Sequence, residues 1–141
     1  MSWCWAYYLQ SVVSAVEGWL QKSGEDPHDV FLWMCFFCNN QFRILIEGSI
    51  GATSDLEVVF KKNLSRIGQM IAVLDTFQTP IYLKRVWTIY EQFIAYSSDI
   101  PVTFLMPEAS SASLLLEVSK GSAGISFITQ AVSQVDSARA E

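Results

Sequence analysis

"VFLWMCFFC" (Val30–Cys38) is the stretch on which the fold turns. Nine apolar or aromatic residues run without a break between the turn formers Asp26-Pro27 and Asn39-Asn40-Gln41. That length and composition suit a strand covered on both faces, the usual case in a parallel sheet flanked by helices. The run also holds a Cys-x-x-Cys pair, Cys35 and Cys38, which can be a redox dithiol, half of a zinc site or buried scaffold. Redox dithiols place the first thiol at a helix N-terminus, where the dipole stabilises the thiolate. In a strand, residues three apart point to opposite faces, so the two sulfurs diverge. Zinc asks for about four ligands, and only Cys4 and the single His28 remain to supply them. Read as a strand, the pair is scaffold and no metal site is expected.

Working outward, residues 6–22 read as an amphipathic helix. Leu9, Val12, Val13, Val16, Trp19 and Leu20 fall on one face, and Gly24 supplies the stop. After the apolar run, Ile44–Ile50 is ambiguous, with Gly48 and Gly51 favouring a loop. Ser54 and Glu57 form a capping box ahead of a helix carrying Leu56, Val59, Phe60, Leu64 and Ile67, which Gly68 ends. Met70–Leu74 reads as a short strand with Asp75 at its carboxyl end. Pro80-Ile81 opens a helix over 82–96 whose buried stripe is expected to be Val86, Ile89, Tyr90 and Phe93. Ile100–Met106 is a strand that Pro107 stops. Residues 108–126, rich in Ser, Ala and Gly, read as a loop or short element around Leu114–Val118. Residues 125–141 hold a last helix, with Ile128, Ala131, Val132 and Val135 on one face.

Strands alternating with helices predict a single α/β domain over 1–141, with a mostly parallel sheet and right-handed crossovers. Such a unit opens with a strand, yet only Ser2-Trp3-Cys4-Trp5 precedes the first helix. The first strand is therefore a stub, or the chain begins late.

Composition narrows the function classes. The chain is 51% apolar and 16% charged, too hydrophobic for disorder. No apolar run reaches the ~18 residues of a transmembrane helix, and no basic-then-aliphatic leader is visible. A net charge of −5 argues against nucleic acid or anionic lipid as partner. Three cysteines cannot all pair internally, which suggests reduced thiols in the cytoplasm or another reducing intracellular compartment. His28 sits in a loop between Pro27 and Asp29 and reads as solvated. With one histidine and no Gly-x-Ser-x-Gly, a Ser-His-Asp triad has little support. Neither common Gly-rich phosphate loop occurs.

Two carboxylates stand out. Glu91, inside "RVWTIYEQFIAY" (85–96), is one helical turn beyond Trp87 and one turn before Ile94 and Ala95. That spacing puts it at the edge of the buried stripe, partly desolvated, where a carboxyl pKa rises toward the range useful for acid–base work. The alternative is a boundary glutamate, hydrated or paired with Arg85 or Lys84. Asp75 lies where open α/β sheets form ligand crevices; the alternative is an ordinary turn aspartate.

Three blocks together resemble a Toll/interleukin-1 receptor (TIR)-like domain, of the divergent kind associated with microalgal and other protist proteins. Ser2-Trp3-Cys4-Trp5 is similar to the end of that family's first strand. "VFLWMCFFCNNQ" (30–41) looks like its second strand, and "MIAVLDTFQTPIYLKRVWTIYEQF" (70–93) like its third strand and the Trp-x-x-x-Glu helix that follows. The resemblance spans about 100 residues and implies a flavodoxin-like three-layer sandwich. It also implies one of two activities: a signalling module that self-associates or docks on a protein partner, or an enzyme cleaving the nicotinamide–ribose bond of NAD. In the enzymes, a glutamate at the position matching Glu91 carries the reaction, stabilising the oxocarbenium-like ribose as nicotinamide leaves. Trp3, Trp5 and Trp87 would stack on adenine or nicotinamide, the alternative being core or core-edge aromatics, with NAD as substrate and no bound cofactor; Asn40 and Asp75, at strand ends, stand where open α/β sheets bind ligands. The sequence departs from the family in its near-absent first strand and in "FRILIEGSIGAT" (42–53), where the enzymes carry a gate. The aromatic load and low charge favour the association module. An NAD hydrolase acting through Glu91 is the alternative, and a thiol redox protein a distant third.

Overall fold

The computed structural model describes residues 1–38 and 52–133. Its elements are α1 (Leu9–Ser23), a four-residue helical turn α2 (Cys35–Cys38), α3 (Ala52–Ile67), β1 (Met70–Val73), a 3-10 turn (Ile81–Lys84), α4 (Val86–Ser97), β2 (Val102–Leu105), α5 (Glu108–Ser119) and α6 (Ser122–Ser133). The architecture is mixed α/β, helix-rich around a small parallel sheet.

β1 and β2 pair in parallel with Met70 opposite Val102 and Val73 opposite Leu105. Parallel neighbours need a crossover, and α4 provides it. On the other edge of β1, Ser2 forms one isolated parallel bridge to Ala72. Its N–H donates to the Ile71 carbonyl (2.8 Å), and its own carbonyl accepts from Val73 N–H (3.0 Å). The stub strand is thus real and one residue long, and β1 runs between two parallel neighbours.

The apolar run departs from expectation. Residues 30–34 have no regular structure, and Cys35–Cys38 is helical rather than the end of a strand. Phe37 N–H and Cys38 N–H both donate to the Met34 carbonyl (3.0 and 2.9 Å), which closes the turn. Phe31 is 90% exposed, against the burial on both faces that a central strand needs. A continuous apolar run carries no period by which strand and helix can be told apart. A one-residue stub also offers almost no ladder for another strand to join. Met1 donates its amino group to the Trp33 carbonyl (2.5 Å), so the segment touches the stub without zipping onto it.

Other boundaries follow from local chemistry. Gly24 and Gly68 take positive φ (72° and 77°) and send their N–H back to Leu20 and Leu64, ending α1 and α3 as glycine does at a helix C-terminus. α3 begins at Ala52, so Ser54 lies inside the helix and not at its cap. The stretch read as a loop or short element is the 12-residue α5, entered through Pro107 with Glu108 in its first turn. Its Ser-Ala-Leu composition permits a helix, and α6 gives it a neighbour. A Cβ on Gly124 would sit 1.7 Å from the Glu117 carbonyl oxygen, so the α5–α6 turn requires glycine there. Of the last helix expected over 125–141, Ser122–Ser133 is described, and Val135 lies outside the described residues.

Two apolar clusters hold these pieces together. In one, Cys4, Tyr7, Val12, Ala15, Ala72, Val73, Tyr82 and Leu105 join the stub, α1 and the sheet. In the other, Phe60 and Leu64 of α3 meet Met70, Ile94 and Ala95. The second cluster sets the rotation of α4. Thr88, Glu91, Ile94 and Ala95 face inward, while Val86, Phe93 and Tyr96 are 55%, 61% and 87% exposed. The stripe expected to be buried on this helix therefore points in part to solvent, with only Ile89 and Tyr90 half-buried.

Candidate functional site

Glu91 is 4% exposed, well inside the boundary position that spacing suggested. Trp87 lies one turn before it, and its indole Nε1 donates to Glu91 Oε1 at 2.9 Å. The other carboxylate oxygen, Oε2, accepts a short hydrogen bond from the Ser2 hydroxyl. Ser2 Oγ in turn lies 2.5 Å from the Tyr82 hydroxyl, and the Gln92 amide donates to that phenol at 2.7 Å. Three parts of the chain converge here: the stub strand (Ser2), the 3-10 turn (Tyr82) and α4 (Trp87, Glu91, Gln92). The Thr88 hydroxyl pins the turn to the helix by donating to the Tyr82 carbonyl, with the Arg85 carbonyl also in reach at 3.0 Å.

Counting protons along the chain gives it a direction. With Glu91 ionised, Trp87 and Ser2 donate to it, Tyr82 donates to Ser2, and Gln92 donates to Tyr82, so every donor has an acceptor. With Glu91 protonated, its O–H points at Ser2 and the order reverses, leaving the Tyr82 proton with none of these acceptors. Burial opposes that preference. Desolvation pushes the Glu91 carboxyl up to about 7, against the lowering effect of the Ser2 and Trp87 hydrogen bonds and the positive amino terminus. Burial likewise raises the Tyr82 phenol, keeping it protonated and a donor. The arrangement can store a proton near neutrality and can hold three chain segments together.

The remaining expected site residues scatter. Trp3 is half-buried, and its ring stacks on Phe37 at 6.5 Å, beside Ser2 but turned to the α2 turn. Trp5 is 62% exposed. The Trp87 ring packs against Phe60 (6.3 Å) and Tyr90 (5.5 Å). Asp75 belongs to a different set of contacts. Its Oδ1 accepts from Ile81 N–H (3.0 Å), its N–H donates to the Tyr7 hydroxyl (3.4 Å), and its carbonyl accepts from Ser110 Oγ (2.6 Å). That is the pattern of a turn aspartate. Burial and the Asp75 charge together raise the Tyr7 phenol. Asn40 lies outside the described residues. An open hollow of ≈ 560 Å³ sits at the C-terminal end of α4, lined by Tyr96, Ser97, Asp99, Ile100 and Pro101, none of them a described candidate residue.

Sequence reasoning missed Ser2, Tyr82 and Gln92 as partners of Glu91. Gln92 adjoins Glu91 in sequence, but the Ser2 contact spans 89 positions, and no local pattern signals it. Among the described residues, no cluster of three or more His, Cys, Asp or Glu side chains could hold a metal ion. None of the described helices is long and apolar enough to cross a membrane. Comparison with protein-family models, with curated proteins and with solved structures finds no match for this chain.

Proposed function

We propose that this chain is a TIR-like association module that self-associates through the uncharged apolar face of α4. The observation that carries the reading is the rotation of that helix. It turns the sole charged side chain of α4, Glu91, inward and satisfies both its oxygens. It leaves Val86, Phe93 and Tyr96 outward with no charge among them. A chain of net charge −5 repels its own copies, and a neutral apolar face is where that repulsion is least. Such a face can also be self-complementary, as a two-fold contact requires. The parallel order stub–β1–β2 is compatible with a flavodoxin-like three-layer sandwich, and the free thiols of Cys4 and Cys38 suit a reducing compartment. The test is light scattering over a concentration series. The weight-average mass should rise from monomer toward dimer; a monomer at every concentration contradicts the proposal.

A second reading, NAD cleavage by Glu91, is favoured by the carboxyl's rise to about 7 beside an indole. It requires Ser2 to leave the carboxylate before a ribose can approach. Nicotinamide release from NAD at high protein concentration, abolished by Glu91→Ala, would establish it. The association reading expects release no faster than in buffer.

A further inference from the structure

We infer that two copies of this chain pair their α4 helices antiparallel, so that Lys84 and Arg85 of each copy reach the hollow lined by Asp99 at the C-terminal end of α4 in the other. The inference rests on the association reading and adds to it the direction of the pair and the charged contact that fixes it.

Val86, Ile89, Phe93 and Tyr96 follow one another at spacings of three, four and three, the repeat by which one helix lays a row of side chains along another. Val86, Phe93 and Tyr96 are exposed, and Ile89 is half-buried. This spacing is the same in both directions along the helix. An antiparallel pair therefore sets Val86 across from Tyr96 and Ile89 across from Phe93, an aliphatic side chain against an aromatic one in every layer. A parallel pair sets Val86 against Val86 and Tyr96 against Tyr96, thin at one end and crowded at the other. Large against small across facing positions is the arrangement that fills space.

The charges flanking α4 select the same direction. A helix N-terminus is partially positive and favours anions, and its C-terminus favours cations. α4 has the opposite arrangement. Lys84 and Arg85 immediately precede it, Asp99 follows its cap residue Ser98, and no acidic residue stands in its first turn or basic one in its last. All three charged residues are exposed, and none has an ion-pair partner among the described residues. Within one copy these charges oppose the helix dipole. In an antiparallel pair each basic end lies beside the other copy's acidic end, and both mismatches are relieved together.

The hollow supplies the receiving surface. Tyr96, Ser97, Asp99, Ile100 and Pro101 line it. The Ser97 carbonyl, at the end of α4, has Pro101 four residues on, which lacks the N–H that a continuing helix would offer. In the antiparallel register Arg85 stands across from Ser97 and Lys84 across from Ser98. Both cations thus arrive at the rim of the hollow, beside the Asp99 carboxylate.

The test is sedimentation velocity of the full chain over one concentration series, with charges reversed at the two ends of α4. Arg85→Glu and Asp99→Lys should each raise the dissociation constant of the dimer about tenfold or more, since each sets like charges together at both ends of the pair. Arg85→Glu/Asp99→Lys exchanges the charges, keeps the net charge of −5 and should associate as the wild type does. Arg85→Glu also gives its own helix a charge that suits the dipole. At a dilution where it is monomeric it should unfold no lower than the wild type, while associating less. Asp99 takes φ 54°, a conformation that asparagine tolerates better than lysine. If Asp99→Lys does not fold, Asp99→Asn repeats that arm with a smaller loss of association. Single variants that associate as the wild type does, or a double variant no stronger than either single, would overturn the antiparallel pairing and leave the association face standing. A wild type that stays monomeric overturns both.

Discussion

At the scale of single residues, the Glu91 carboxyl is a buried group whose titration falls near neutrality. Burial raises its pKa from 4.5 to about 7, so the folded chain binds a proton that the unfolded chain has released across that interval. Stability then falls as pH rises from 4.5 to 7, because the native state binds more protons than the unfolded one. The contribution lost is on the order of 3 kcal/mol, complete only above the folded pKa. Glu91→Gln keeps the side chain's shape and removes the titration. Urea unfolding at a series of pH values should show the wild type losing stability between pH 5 and pH 8, and the variant losing markedly less. Equal slopes for the two proteins would mean that Glu91 is solvated. The neighbouring phenol gives a second test. Tyr82→Phe removes the hydroxyl between Gln92 and Ser2, at a cost of about 1–3 kcal/mol. It should also speed hydrogen exchange at the Val73 amide, which donates to the Ser2 carbonyl. Unchanged exchange there would separate the polar chain from the hold on the stub strand.

At the scale of elements, α4 behaves unlike a helix placed by periodicity alone. Val86, Ile89, Tyr90 and Phe93 form its most apolar stripe, yet the sheet side takes Thr88, Glu91, Ile94 and Ala95. Small side chains such as Ala95 let the helix approach closely, and Phe60, Leu64 and Met70 complete the contact. Neighbouring residues should therefore respond in opposite ways. Ile94→Ala should cost about 2–5 kcal/mol as a buried truncation, while Phe93→Ser should stay within about 0.5 kcal/mol as a surface change. Thermal unfolding of the two variants reads this directly, and comparable losses would reverse the helix's assigned face. The same contrast explains what was legible beforehand. β1, β2, α1 and the body of α4 announce themselves through β-formers, helical spacing and the stops at Gly24 and Gly68. The face of α4 did not, since hydrophobic pattern marks apolar stripes without saying which one meets the sheet. Val30–Cys38 did not either, since nine apolar residues in a row have no period and the fate of a strand depends on a partner elsewhere.

At the scale of the whole molecule, the sheet is small and its closure depends on distant sequence. Ser2 reaches β1 through one bridge and reaches Glu91 through one side chain, so the N-terminal segment, the 3-10 turn and α4 are held at a single polar junction. The Trp-x-x-x-Glu spacing marked one side of that junction; its other members lay beyond any local reading. Because the junction occupies Glu91 on both oxygens, the helix can present its aromatic residues to a partner without exposing a charge. On the proposed reading, association and the carboxylate are separable. Sedimentation velocity of the wild type, Phe93→Ser/Tyr96→Ser and Glu91→Gln over one concentration series tests this most directly. The account predicts that the double variant stays monomeric while Glu91→Gln associates as the wild type does. A double variant that still associates, or a Glu91→Gln protein that stays folded but does not, would contradict it.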